Sequence, residues 1–262
     1  LKVKIFLPLY NVEKFIHDTI KSVLSQDFTD YEAYFLDDCS TDKTREIIEN
    51  FTKIDKRLKY VKNESQLFSL QNLFKNISYL TGESDIIVVL DGDDFFASTD
   101  TLGKIISKFR DDRCDFVYGD FIEVPKNLWV SCGEYDKDTI KNKSFRKDAW
   151  RCTGIRAFTS NLWRKVKKED LIDQRTSDFY RFAADQAYTY PMLENASNIG
   201  YCNFPIHIYN KYNPLNDEKI DPKSQVATES VVRNITLEDL RMIKNKKLTY
   251  KRIVFHNAGE LK

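Results

Sequence analysis

"IIVVLDGDDFF", residues 86–96, decides how the chain is read. Five apolar residues run without a break into three acids within four positions: Asp91, Asp93 and Asp94. An uninterrupted apolar run suits a strand covered on both faces, as parallel strands are. Acids this close repel one another, and burying them uncompensated costs on the order of several kcal/mol. A divalent cation that itself holds a phosphate would neutralise them. The plain alternative for a single acidic turn is a solvated loop.

Upstream of this stretch, strands and helices alternate. "VKIFLPL" (3–9) is an apolar strand. Residues 12–26 set Val12, Phe15, Ile16, Ile20, Val23 and Leu24 at helical spacing. "YEAYFLDD" (31–38) is a second strand ending in Asp37 and Asp38. "STDKTREIIENFTKI" (40–54) offers Ser40 and Thr41 as caps of an amphipathic helix. "LKYVKN" (58–63) is a third strand, and residues 66–81 form a third helix through Leu67, Leu70, Leu73, Phe74 and Ile77. "DIIVVLD" (85–91) is the fourth strand. The alternation predicts an α/β, doubly wound, mainly parallel sheet. Downstream the pattern changes. "CDFVYGDFIEV" (114–124) reads as a strand, followed by polar and aromatic loops to about residue 155. A helix is predicted over 178–196, carrying Asp185, and a strand over 199–210. The basic run "RMIKNKKLTYKRI" (241–253) reads as helical or loose.

With 262 residues the chain can hold one large domain or two small ones, and with 42% hydrophobic residues it can build a core. A net charge of +1 lacks the basic excess of a generic nucleic-acid binder. Five cysteines (Cys39, Cys114, Cys132, Cys152 and Cys202) include no C-x-x-C pair and read as free thiols of a reducing compartment such as the cytoplasm. No apolar run approaches the roughly 20 residues that span a bilayer. The sequence does not begin with Met and enters a strand almost at once, which reads as a domain cut from a longer protein.

In open α/β sheets, ligands bind beyond the carboxyl ends of the strands. Three clusters fall there: Pro8–Asn11, Asp37 with Asp38, and Asp91 with Asp93 and Asp94. Neither a G-x-G-x-x-G turn nor a Walker A lysine loop is present, so no glycine-lined nest would hold a diphosphate. The acids supply hard oxygen donors suited to Mg²⁺ or Mn²⁺.

These residues carry a family resemblance. "VKIFLPLYNVEKFIHDTIKSVLSQDFTDYEAYFLDDCSTDKT" (3–44) resembles the opening of family 2 glycosyltransferases with the GT-A fold. "LDGDD" is similar to that family's DxD-type motif, and "ADQ" (184–186) to its catalytic acidic position. The runs "GIRAFTSNLWRKVKKEDLID", "FYRFAADQAYTYPMLENA" and "HIYNKYNPLND" resemble a bacterial and viral subset. The resemblance extends from residue 3 to about 210 and is weakest over 120–150. It departs at "SQLFSLQN" (65–72), where Gln71 stands for the usual Arg, and at His207, where an aromatic residue is usual.

The resemblance implies a single GT-A domain over 1–262: a nucleotide-sugar and metal half (1–119), an acceptor half (120–210) and a C-terminal extension (211–262). It implies a metal-dependent, inverting transfer of a hexose from a UDP-sugar to a hydroxyl, with Mn²⁺ or Mg²⁺ as cofactor. Asp185 would be the catalytic base. Pro8, Leu9, Tyr10, Asn11, Asp37, Asp38, Asn72, Asp91, Gly92 and Asp93 would bind the nucleotide, with Asp38 accepting the uracil N3–H. Asp93, Asp94 and His207 would hold the metal. Trp150, Arg156 and Trp163 would meet the donor or acceptor sugar. UDP-glucose and UDP-galactose are the first donor candidates. A polysaccharide, a lipid-linked sugar or a protein hydroxyl such as a collagen-like hydroxylysine are the acceptors. Two other classes stay open: a non-catalytic sugar-nucleotide or glycan-binding domain, and a haloacid-dehalogenase-like phosphatase, whose D-x-D also follows an apolar strand.

Overall fold

The computed structural model describes residues 2–236, so the basic run at 241–253 lies outside the described residues. The first half places β1 (Val3–Leu9), α1 (Ile16–Leu24), β2 (Tyr31–Asp37), α2 (Thr44–Ile54), β3 (Leu58–Lys62), α3 (Phe68–Leu80) and β4 (Ile86–Val89). Then come β5 (Phe95–Phe96), α4 (Thr101–Arg110), β6 (Phe116–Val124), β7 (Leu128–Val130), α5 (Lys137–Asn142), β8 (Arg156–Thr159) and α6 (Ser160–Trp163). The chain continues through β9 (Ile172–Asp173), β10 (Asp178–Phe179), α7 (Ala184–Asn195), β11 (Ile199–Asn210), α8 (Asp217–Ile220) and α9 (Pro222–Asn234).

The main sheet runs β3-β2-β1-β4-β8-β6-β11-β5, with β7 on the flank of β6. β3, β2, β1 and β4 are mutually parallel, as are β6 and β11, whereas β8 runs antiparallel between β4 and β6. Strand alternation divides the core between two faces. Ile5, Leu7, Ile86 and Val88 meet α1, α2 and α4 through Ile16, Ile20, Ile48 and Ile105. Phe6, Ile87 and Val89 meet α3 and α7 through Leu70, Leu73, Ile77 and Tyr188. Each fully buried aliphatic side chain contributes about 1.5–3 kcal/mol.

Several elements depart from the sequence expectations. Helix α2 starts at Thr44, whose N–H donates to Asp42 Oδ1 (3.0 Å). Ser40 and Thr41 do not cap it; Ser40 Oγ accepts from Asn11 N and Thr41 N donates to Asn11 Oδ1. The helix predicted over 178–196 begins only at Ala184. Residues 178–179 instead pair with 172–173 as a small hairpin, and Ala183 takes a left-handed φ of 50° that stops a helix from running through it. The stretch expected as loop to about 155 contains β7 and α5. The five cysteines are all free thiols. Among the described residues no helix is long and apolar enough to cross a membrane.

Candidate functional site

One cavity of about 720 Å³ opens beyond the carboxyl ends of β1 and β4, where the strand order switches sides. Pro8, Leu9, Tyr10, Asp38, Asn72, Asp91, Gly92, Asp93, Asp94, Trp150, Arg156 and Asp185 all line it. Residues far apart in sequence, such as Asp38 and Asp185, are thus brought to one site by the sheet order.

Gly92 lets the acidic turn pass close to β1. A Cβ there would stand 2.5 Å from Leu9 Cβ. Its N–H donates to Pro8 O (3.1 Å) and its carbonyl accepts from Thr19 Oγ1 (3.0 Å), which fixes the turn. Each of the three acids then finds a different partner. Asp94 is buried and accepts from Asn210 N (2.8 Å). Asp93 Oδ2 accepts from Asn213 Nδ2 (2.7 Å). Asp91 stays partly exposed, 3.7 Å from Arg156 Nη2. These partners do not cancel the charge. Burial, together with the neighbouring acids, pushes Asp93 up to about 6 and Asp94 well above the usual carboxylate range.

Among the described residues, no group of three or more His, Cys, Asp or Glu is placed to hold a metal ion by itself. The residues nevertheless fit a divalent cation that takes most of its ligands from elsewhere. Asp93 and Asp94 are hard donors in excess of local positive charge. His207 is fully buried behind Asp94, Nε2 lies 3.9 Å from Asp94 Oδ2, and neither ring nitrogen has a hydrogen-bond partner. Burial pulls this imidazole down to about 3, so it is neutral and a competent donor at ordinary pH. Gly154 makes room for the ring, since a Cβ there would overlap it at 1.6 Å.

Across the cavity, Asp185 sits in the first turn of α7. Arg156, at the start of β8 and only 3% exposed, reaches both sides. Its Nη1 is 3.8 Å from Asp185 Oδ2, and its Nη2 faces Asp91. Burial in the cavity wall raises Asp185 above the usual carboxylate value, and the Arg156 charge opposes that rise. About a third of the Asp185 side chain remains accessible, so the group is open to a ligand from the cavity.

Four predicted residues lie elsewhere. Asn11 and Asp37 do not line the cavity but brace its floor: Asp37 accepts from Tyr60 Oη (2.6 Å) and from Ser40 N (2.9 Å). His207 stands behind the wall. Trp163 is a core residue, 2% exposed, stacked on Phe158 at 5.6 Å and bonded to Ser78 Oγ at 3.3 Å. A contact of Trp163 with a sugar is therefore corrected: the large aromatic surface that suggested it is spent on the core. Asp38 lines the cavity, yet Asn63 Nδ2, Leu67 N and Phe68 N already donate to its carboxylate at 2.8–2.9 Å.

Sequence reasoning missed other parts of the wall. Asn210 and Asn213 hold the acids, and the Tyr-Asn…Asn-Pro run was their signal. Arg181 lies 4.3 Å from the Phe68 ring. Asp217, Gln225 and Glu229 come from α8 and α9, which carry no motif that names them. Burial, then the charges of Asp185 and Asp91, push Asp217 up to about 6.

Residues 4–187 match the family model described as glycosyl transferase family 2. The chain is 22% identical over 213 residues to glycosyltransferase GlyA of Streptococcus pneumoniae, covering 79% of this chain and 30% of GlyA. It is 30% identical over 98 residues to the poly(ribitol-phosphate) beta-N-acetylglucosaminyltransferase TarS of Staphylococcus aureus, covering 36% of this chain and 17% of TarS. The chain thus spans less than a third of either relative. In structure it resembles S. aureus TarS 1–349 in complex with UDP-GlcNAc, at a TM-score of 0.65 and 18% identity, over 93% of this chain and 73% of that one. It also resembles glucosyl-3-phosphoglycerate synthase from Mycobacterium tuberculosis with Mn²⁺ and UDP, at a TM-score of 0.59 and 16% identity, over 88% and 79%. At these identities the structural likeness establishes the mainly parallel, Rossmann-like GT-A fold, and the family match extends over most of the chain. This chain belongs to glycosyl transferase family 2.

Proposed function

We propose that this domain transfers a hexose from a UDP-sugar to a hydroxyl acceptor, inverting the anomeric carbon, with Mn²⁺ or Mg²⁺ bound. The observation that carries this reading is the pairing of two acidic sites across one cavity. The Asp91–Asp94 turn lies at the strand ends, Asp185 faces it, and Arg156 stands between them within 4 Å of both. UDP-GlcNAc in the TarS structure, and Mn²⁺ with UDP in the synthase, support the donor and the metal.

In this reading the nucleotide rests on Pro8–Tyr10 and Asn72. Asp38 serves it indirectly, by fixing the loop that carries Gln66, Phe68 and Ser69 into the wall. Asp93 and Asp94 would hold the cation, with His207 behind Asp94, and the cation would stabilise the charge developing on the leaving diphosphate. Asp185 accepts the acceptor's hydroxyl proton while that oxygen bonds to the anomeric carbon. The bond from that carbon to the diphosphate oxygen breaks, and its electron pair leaves with UDP. Arg156 favours the ionised form of Asp185 for this task. Trp150, half-buried in the wall with its ring 5.4 Å from Tyr190, offers a face to the sugar or acceptor. UDP-glucose and UDP-galactose head the donor candidates, and a polysaccharide, lipid-linked sugar or protein hydroxyl the acceptors.

A panel of UDP-sugars with Mn²⁺, scored for hydrolysis and for transfer to simple glycosides, tests the proposal. Release of UDP from one donor, abolished by Asp185→Asn, is expected. Tight UDP binding with no turnover of any donor would instead identify a sugar-nucleotide-binding domain.

A further inference from the structure

Helix α9 lies beyond the span that matches the family model, yet it forms part of the cavity wall through Gln225 and Glu229. It is firmly docked. Arg175 Nη2 donates to Thr228 Oγ1 (3.0 Å), Arg146 donates to the Val232 carbonyl, and Arg233 Nη1 donates to Asp148 O (2.9 Å). From this fixed helix, Gln225 Oε1 accepts the Ala183 N–H (3.0 Å), while Gln225 Nε2 donates to Glu229 Oε1 (2.8 Å).

Ala183 is the residue immediately before α7, at its N-cap, two positions before Asp185. Its φ of 50° and ψ of 35° are left-handed, a conformation that residues other than glycine, asparagine and aspartate seldom take. No side chain of its own caps the helix. The direction in which Asp185 leaves α7 depends on this turn. Such strain persists only where surrounding contacts over-determine it.

We infer that Gln225 is a positioning residue: through its bond to the Ala183 amide, α9 holds the left-handed turn that aims Asp185 into the cavity. The inference rests on Asp185 being the base of the proposed reaction. Glu229 is the next link, since its carboxylate orients the Gln225 amide so that the oxygen faces Ala183.

Three measurements on the whole domain test it. Gln225→Ala should lower kcat about tenfold, in keeping with the cost of a small misplacement of a reacting group. KM for the donor and UDP affinity should stay unchanged, because the nucleotide contacts lie on other strands. Amide hydrogen exchange at Ala183 should quicken, a readout independent of turnover. Adding Ala183→Gly to Gln225→Ala should recover part of kcat, since glycine takes a positive φ without strain. An unchanged kcat, unaltered protection of the Ala183 amide, equal losses in donor affinity and kcat, or no recovery with Ala183→Gly would each overturn the inference. Asp185→Asn is assayed alongside. If it is inactive while Gln225→Ala is fully active, only the positioning role falls. If it is fully active, the base assignment falls and takes this inference with it.

Discussion

Arg156 illustrates how one side chain can set the behaviour of a site. A guanidinium is always protonated, and this one sits within 4 Å of two carboxylates that would otherwise repel each other across the cavity. The charges facing Asp185 are Arg156 from β8, Asp91 from the turn after β4, Asp217 from α8 and Glu229 from α9. Only the first favours its ionised form. A base must be deprotonated to work, so transfer should fall as pH drops through the raised value of Asp185. Removing the guanidinium leaves burial and three acids opposed only by the Gln186 backbone N–H, and raises that value further. Arg156→Gln should therefore shift the acidic limb of the kcat/KM profile to higher pH. A limb that stays in place would show that Asp185 does not titrate in it. Asp185→Asn is nearly isosteric and keeps the packing of Ala187 and Tyr188. It should retain UDP affinity and lose about 10²–10⁴-fold in transfer rate. Loss of UDP binding along with activity would make Asp185 a structural residue.

At the scale of elements, the strand ends do more than present ligands. Asp38 ends β2 and was expected to read the uracil. Its carboxylate instead ties down the start of α3 through Leu67 and Phe68, with Phe68 itself at a φ of 59°. Asp38→Ala would leave two backbone N–H groups and the Asn63 amide short of a partner. Each such orphan costs about 1–3 kcal/mol, so the variant should melt lower as well as bind UDP more weakly. Weakened binding at an unchanged Tm would restore Asp38 as a direct reader. The alternation of β1–β4 with α1–α3 was legible because those strands are apolar throughout and the helices keep a clear period. β8 was not legible: it has four residues, and it opens on a buried charge, Arg156, that looks like loop chemistry. The late start of α7 was hidden for the opposite reason. Phe179, Tyr180, Phe182 and Ala183 continue the helical spacing of α7, and only a backbone angle at Ala183 breaks it. Of the site, Asp38, Asp91, Asp93, Asp94, Asp185 and Arg156 could be named from motifs. The contributions of α8 and α9 could not, because Gln225 and Glu229 acquire meaning only from what the fold places opposite them.

Taken as a whole molecule, the sheet joins its parallel strands β1–β4 to β6 and β11 through the antiparallel strand β8, and the cavity at its edge is strongly acidic. Seven acids line it (Asp38, Asp91, Asp93, Asp94, Asp185, Asp217 and Glu229) against three bases, Arg156, Arg181 and Lys211. Two like charges ~5 Å apart cost about 3 kcal/mol at an effective dielectric of 20. A diphosphate entering this field alone meets repulsion from Asp91, Asp93 and Asp94 together. Protonating Asp93 and Asp94 relieves part of it, which is the direction in which burial already pushes them. A divalent cation relieves far more, because it attracts the acids and the diphosphate at once. UDP affinity, measured by calorimetry, should therefore drop about 100-fold or more when Mn²⁺ is replaced by EDTA, a difference of about 2.7 kcal/mol, less than one such repulsive pair. Mn²⁺ added back should restore it. Uridine, which lacks the diphosphate, serves as the control and should bind with the same weak affinity in both conditions. Equal affinity of UDP with Mn²⁺ and with EDTA would remove the cation from donor binding, and Arg181 and Lys211 would then be the groups to test as the diphosphate's counter-charge.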